Sequence, residues 1–106
     1  VDGAERDSLM KDYAFYTKTT IPAGTYKGQD ADVETVSVRA TLIASNELSE
    51  DVVYELVKAM FDNQDELIKG HEKFNNLKLE DATKGIDVKF HPGAAKFFKE
   101  KNIDVA

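Results

Sequence analysis

The segment from Thr35 to Ala44 is the strongest constraint on how this chain folds. Val36, Val38, Ala40 and Leu42 alternate with Thr35, Ser37, Arg39 and Thr41. A period of two puts the first set on one face of a strand and the second on the other. A strand with one apolar face needs sheet neighbours and a cover. The chain offers few. Phe15–Ile21 contains Tyr16, Thr17, Thr19 and Thr20, residue types that favour extended backbone. Ile86, Val88 and Phe90 alternate weakly and offer one more extended segment. A sheet of two or three strands is thin for independent stability. This predicts that further strands lie in a preceding portion of the protein.

The rest reads mainly as helix and loop. Ala4–Tyr13 has the makings of a short helix carrying Leu9 and Met10. Residues 22–34 begin with Pro22 and Gly24 and are rich in Gly, Asp and Gln, so they read as a long loop. Ser49 is a suitable N-cap, and Glu50 and Asp51 suit the positive end of a helix dipole. The helix it opens runs to about Asp62, with Val52, Val53, Leu56, Val57, Met60 and Phe61 in one wide apolar stripe. A second helix is expected from Asp65 to about Phe74, and a further turn or two over Leu79–Lys84, stopped by Gly85. Pro92 and Gly93 punctuate the chain before a final helix over about Ala94–Lys101, aimed by that turn so that Phe97 and Phe98 pack on the domain. The expected class is α/β, with few strands and four to five helices. At 106 residues the chain is a single domain or part of one.

Charge and residue type exclude several functions. Fourteen basic against twenty acidic residues give a net charge of −6. Phosphate backbones need a basic patch, so nucleic acid is not an expected partner. The absence of cysteine removes disulfides, thiolate metal sites and cysteine nucleophiles. No apolar run approaches the roughly 20 residues that span a bilayer. The chain opens on Val1 without a signal-peptide pattern, which predicts a processed or truncated start.

Chemistry-bearing residues do not cluster. His71 and His91 lack any metal-ligand spacing, and His91 before Pro92 is expected to shape a turn. The carboxylates fall at loops and helix starts, and none stands out as an acid–base pair. Gly24-Thr25-Tyr26-Lys27-Gly28 lacks the spacing of a phosphate-binding loop. No serine sits in a nucleophile elbow. The expectation is no catalysis, no metal and no cofactor. Two residues invite a binding role. Arg39, one of two arginines, lies on the polar face of the best strand, where its fork suits a carboxylate. Tyr26, in the glycine-rich loop before that strand, is placed to line a cleft. Each has an ordinary alternative: a solvent-facing or structurally paired Arg39 and a packed Tyr26.

Four segments in order carry a family resemblance: Ile21-Pro22-Ala23-Gly24-Thr25-Tyr26-Lys27-Gly28-Gln29, Asp32-Val33-Glu34-Thr35-Val36-Ser37-Val38, Leu48-Ser49-Glu50-Asp51-Val52-Val53-Tyr54 and His91-Pro92-Gly93-Ala94. Together, from about residue 13 to 103, the chain resembles the C-terminal part of a TAXI-type TRAP-transporter solute-binding protein. The resemblance implies a fragment of a two-lobed periplasmic-binding-protein-like fold. It implies an extracytoplasmic receptor that closes on a small carboxylate or amino acid and hands it to a membrane permease driven by an ion gradient. The family's ligand contacts come largely from the region before this one, so Arg39 and Tyr26 remain chemical inferences. The other reading left open is a stand-alone acidic α+β domain that binds a protein partner through its helices.

Overall fold

The computed structural model describes residues 1–105. The elements, in chain order, are α1 (Gly3–Asp12), β1 (Tyr16–Ile21), β2 (Val33–Val38), α2 (Glu50–Asp62), α3 (Gln64–Gly70), 3₁₀ segments at Glu72–Asn76 and Leu79–Asp81, and α4 (Pro92–Glu100). This mixed α/β architecture is compatible with part of a binding-protein fold. The residues form two compact units: Val1–Thr41 with Gly85–Asp87, and Leu42–Lys84 with the residues from Val88 onward.

The first unit is an antiparallel hairpin with α1 beside it. Its register runs from Tyr16↔Val38 to Ile21↔Val33. Strand alternation therefore puts Tyr16, Lys18, Thr20, Glu34, Val36 and Val38 on one face. Thr17, Thr19, Ile21, Val33, Thr35 and Ser37 form the other. The side chain of Asp2 caps α1 by accepting from Gly3 N at 2.7 Å. That helix buries no residue, because it has no apolar stripe. Charges tie it to the first face instead. Lys18 meets Asp7 at 3.4 Å, and Arg6 Nη1 meets Asp2 at 3.1 Å and Glu34 at 3.5 Å. The Arg6 side chain is only 13% exposed. Its Nη1 reaches ion-pair distance but not hydrogen-bond alignment, and its Nε has no partner among the described residues. Two carboxylates offset the cost of burying that charge.

The alternating segment is shorter than its pattern predicts. The ladder starts at Val33, within the expected loop, and stops at Val38. The cause lies in β1. A turn from Tyr13 to Tyr16, closed by Tyr16 N donating to Tyr13 O, opens that strand, so nothing pairs with residue 39 onward. The expected burial of the apolar face also fails. Val36 is half-buried under α1, but Val38 is 60% and Leu42 64% exposed. Residues 86–90 form no strand either; Gly85 enters them at φ 71° and Val88 is 58% exposed.

The second unit is built on α2 and α4. Ser49 Oγ accepts from Val52 N at 3.3 Å, the cap expected from sequence. The α2 stripe divides. Val53 is buried and Val57, Met60 and Phe61 are half-buried, while Val52 and Leu56 are exposed. The second expected helix ends early at Gly70, because His71 is extended at φ −158° and the chain restarts as 3₁₀. Gln64 closes that stretch, its amide donating to the carbonyls of Phe74 and Leu77 at 2.9 and 2.6 Å. The turn expected at Leu79–Lys84 contracts to the 3₁₀ segment, which lacks a side-chain cap.

The His91-Pro92-Gly93 motif seats α4. His91 Nδ1 accepts from Gly93 N at 3.1 Å, and its Nε2 donates to Leu48 O at 2.9 Å. Pro92 occupies the first turn, where no amide donor is needed. Gly93 is buried against α2: a Cβ there would lie 2.6 Å from Tyr54 N and 2.9 Å from Val53 Cβ, and closer still to Glu50 O. That approach brings Phe97 and Phe98 onto α2. Phe61 stacks on Phe97 at 5.5 Å and meets Phe98 edge-on at 6.1 Å. Asn102, at φ 59°, ends the helix.

Two outcomes follow from this packing. Gly93→Ala should destabilise the α2–α4 unit by about 1–3 kcal/mol, read as a lower urea midpoint; an unchanged midpoint would show that the helices separate without cost. Tyr54 Oη donates to Glu100 at 2.6 Å, and this bond, then burial and the Glu100 charge, raise the phenol pKa above 10.0. Lys58, bonded to Asp62, is likewise raised above 10.5. Both groups have raised folded-state values, so their contributions are complete below the ordinary values and lost as pH climbs through the raised ones. Thermal melts at stepped alkaline pH should show this loss, and Tyr54→Phe should remove the tyrosine part of it.

Candidate functional site

The loop between β1 and β2 is held from within. Gly24 and Gly28 take φ of 79° and 81°, which a glycine adopts without strain. Gln29 organises the turn. Its amide group shares its two hydrogens among the carbonyls of Ile21, Pro22 and Ala31, each at 3.0 Å, and its Oε1 accepts from Tyr26 N at 3.3 Å. Gly24 N donates to Gln29 O at 2.8 Å, Thr25 Oγ1 to Pro22 O at 2.7 Å, and Ala23 N to Asp32 Oδ1 at 2.8 Å. Thus the Thr25 and Gln29 side chains serve the loop itself. Sequence reasoning missed Gln29; its place between Gly28 and two aspartates was the available signal. Tyr26 does not pack, being 67% exposed at the tip.

Arg39 follows the end of β2. By alternation it continues the face of Thr17 and Ser37. It is half-buried. Its stem lies under Gly85: a Cβ on that glycine would sit 3.4 Å from Arg39 Cδ and 3.5 Å from Cγ. Its guanidinium makes no ion pair among the described residues. The contrast with Arg6, held by two carboxylates, is direct.

Arg39 and Tyr26 do not converge. Strand β2 separates them, and its length is about 17 Å at roughly 3.3 Å per residue. The histidines are spent on structure: His91 seats α4, and His71 Nδ1 accepts from Lys73 N at 3.1 Å. No group of three or more acidic or histidine side chains is arranged to hold a metal among the described residues. A shallow depression of about 400 Å³ in the second unit is lined by Asn46, Lys89, Phe90 and Pro92. None of the described helices is long and apolar enough to cross a membrane.

The model of the NMT1-like family matches residues 1–101. The chain belongs to the NMT1-like family. Membership makes it a periplasmic-binding-protein-like chain with an extracytoplasmic solute-binding role, a small-molecule ligand and a transporter as its working partner. The matched span holds the Gln29 loop, Arg39 and the His91 turn of this NMT1-like protein.

Gln29→Ala should loosen the loop without unfolding the hairpin. Limited trypsin digestion should then cut after Lys27 several-fold faster than in the parent chain. An equal rate would show that the glycine turns hold the loop without Gln29.

Proposed function

We propose that this NMT1-like protein is a solute receptor of the TAXI-type TRAP class, serving an ion-gradient-driven transporter. It takes up a small carboxylate or amino acid outside the cytoplasm and delivers it to the membrane permease. In this reading it is not an enzyme and uses no cofactor or metal. Arg39 carries the reading. A guanidinium on a covered stem, with no carboxylate beside it among the described residues, is suited to receive one from a solute, by two parallel N–H···O bonds. Tyr26, at the far end of the hairpin, contacts a solute only at a point remote from that carboxylate. The family match supports a solute-binding role in general, and the four ordered sequence segments support this class within it.

The exposed Val52 and Leu56 of α2 favour the second reading, a helix-mediated protein-interaction domain. Ligand stabilisation separates the two. In thermal melts with a panel of carboxylates and amino acids, at least one solute should stabilise the chain, by about 2.7 kcal/mol at a hundredfold excess over its Kd. Arg39→Ala should abolish that gain. A panel without any stabilising solute would overturn the receptor reading.

A further inference from the structure

Arg39 shares its face with two hydroxyls and a close backbone approach. Thr17 and Ser37 are cross-strand partners, with Ser37 two residues before Arg39 on the same face. Thr17 Oγ1 lies 3.3 Å from Ser37 O and 3.3 Å from Ser37 Oγ. When Thr17 gives its hydrogen to Ser37 Oγ, the Ser37 hydroxyl is left to donate outward. Gly85 closes the arrangement. A Cβ on it would sit 2.6 Å from Thr17 Cγ2 and against the Arg39 methylenes, so Gly85 lies directly on both side chains. Its φ of 71° is a second reason for glycine at this position. The stem of Arg39 is thereby pinned, and its charged head stays unpaired among the described residues. Asp87, on the same segment, forms no ion pair with it.

We propose that Arg39 and Ser37, positioned by Thr17 and Gly85, form a ledge that binds the oxyanion of a small solute. The guanidinium supplies two parallel N–H donors and Ser37 a third hydrogen bond from the side. The planar fork matches a carboxylate; a sulfonate or phosphate shares the same oxygen chemistry. Arg39 and Ser37 are contact residues. Thr17 and Gly85 act through them, Thr17 by orienting the Ser37 hydroxyl and Gly85 by holding the Arg39 stem. This ledge rests on the solute-receptor reading and names the part of the solute that is gripped.

The test is a titration of the 106-residue chain with acetate, glutamate, methanesulfonate and inorganic phosphate, followed by NMR of the arginine Nε–H resonances. The Arg39 resonance should shift saturably, and that of Arg6 should stay still. Arg39→Lys keeps the charge but loses the fork, and should weaken binding about tenfold or more. Ser37→Ala should weaken it several-fold without changing the melting temperature. Gly85→Ala should weaken it while the Arg39 resonance shifts even without anion; if that variant unfolds, Ser37→Ala still decides. Preference for acetate and glutamate over the tetrahedral ions supports a carboxylate ledge, and equal response supports a general oxyanion ledge. An immobile Arg39 resonance overturns the proposal. If a panel solute nonetheless stabilises the chain, the receptor reading survives that loss. If Arg39 responds only to methanesulfonate or phosphate and no carboxylate or amino acid stabilises the chain, the ledge stands as an oxyanion site and the receptor reading falls.

Discussion

The second unit depends on the contact between Gly93 and the backbone of α2. Helices normally keep their axes 8–10 Å apart because side chains intervene. Here hydrogen takes the place of a side chain, and α4 settles against the first turns of α2. The buried apolar side chains, Val53, Phe97 and Phe98, all belong to this helix pair. The aromatic cluster with Phe61 and Tyr54 follows from the same approach. His91 and Pro92 serve it by fixing where α4 begins. One imidazole joins the first amide of α4 to the backbone ahead of α2, and this uses both of its nitrogens.

The first unit has no such core. It is held by a hairpin ladder, a loop closed on itself and a few charges. In that setting the two arginines take different roles. Arg6 spends its charge on Asp2 and Glu34, which fastens a helix without an apolar face to the sheet. Arg39 has its stem covered, and its open head meets no carboxylate among the described residues. Such a guanidinium is free to receive an anion. The difference comes from which neighbours the register supplies, since the two side chains are chemically identical.

Several elements were legible because their causes are local. Ser49 before Glu50 and Asp51 marks the start of α2, and the apolar spacing after it marks the helix. The architectural part played by His91 was legible too, but Pro92 and Gly93, expected as a turn before a helix from about Ala94, are the first two residues of α4. The extent of the alternating strand was not. Alternation reports which side of a strand is apolar, but a strand lasts only as far as a partner offers hydrogen bonds. The turn at Tyr13–Tyr16 sets that limit at Val38. The division of the α2 stripe was hidden for the same kind of reason: α4 covers Val53 and not Val52, and only the crossing of the two helices decides that.

For the candidate site, the amino-acid sequence alone determined the residue types: an arginine on a polar strand face, a tyrosine in a glycine-rich loop, and histidines without metal spacing. It also determined the order of segments that the family match covers, because that order needs no coordinates. Tertiary structure decided which of these residues act together. It put Tyr26 and Arg39 at opposite ends of one hairpin, and set Thr17, Ser37 and Gly85 beside Arg39 across gaps of 22, 2 and 46 positions in the chain. Proximity of that kind arises from strand register and a close backbone approach. Neither is written into the local pattern of side chains.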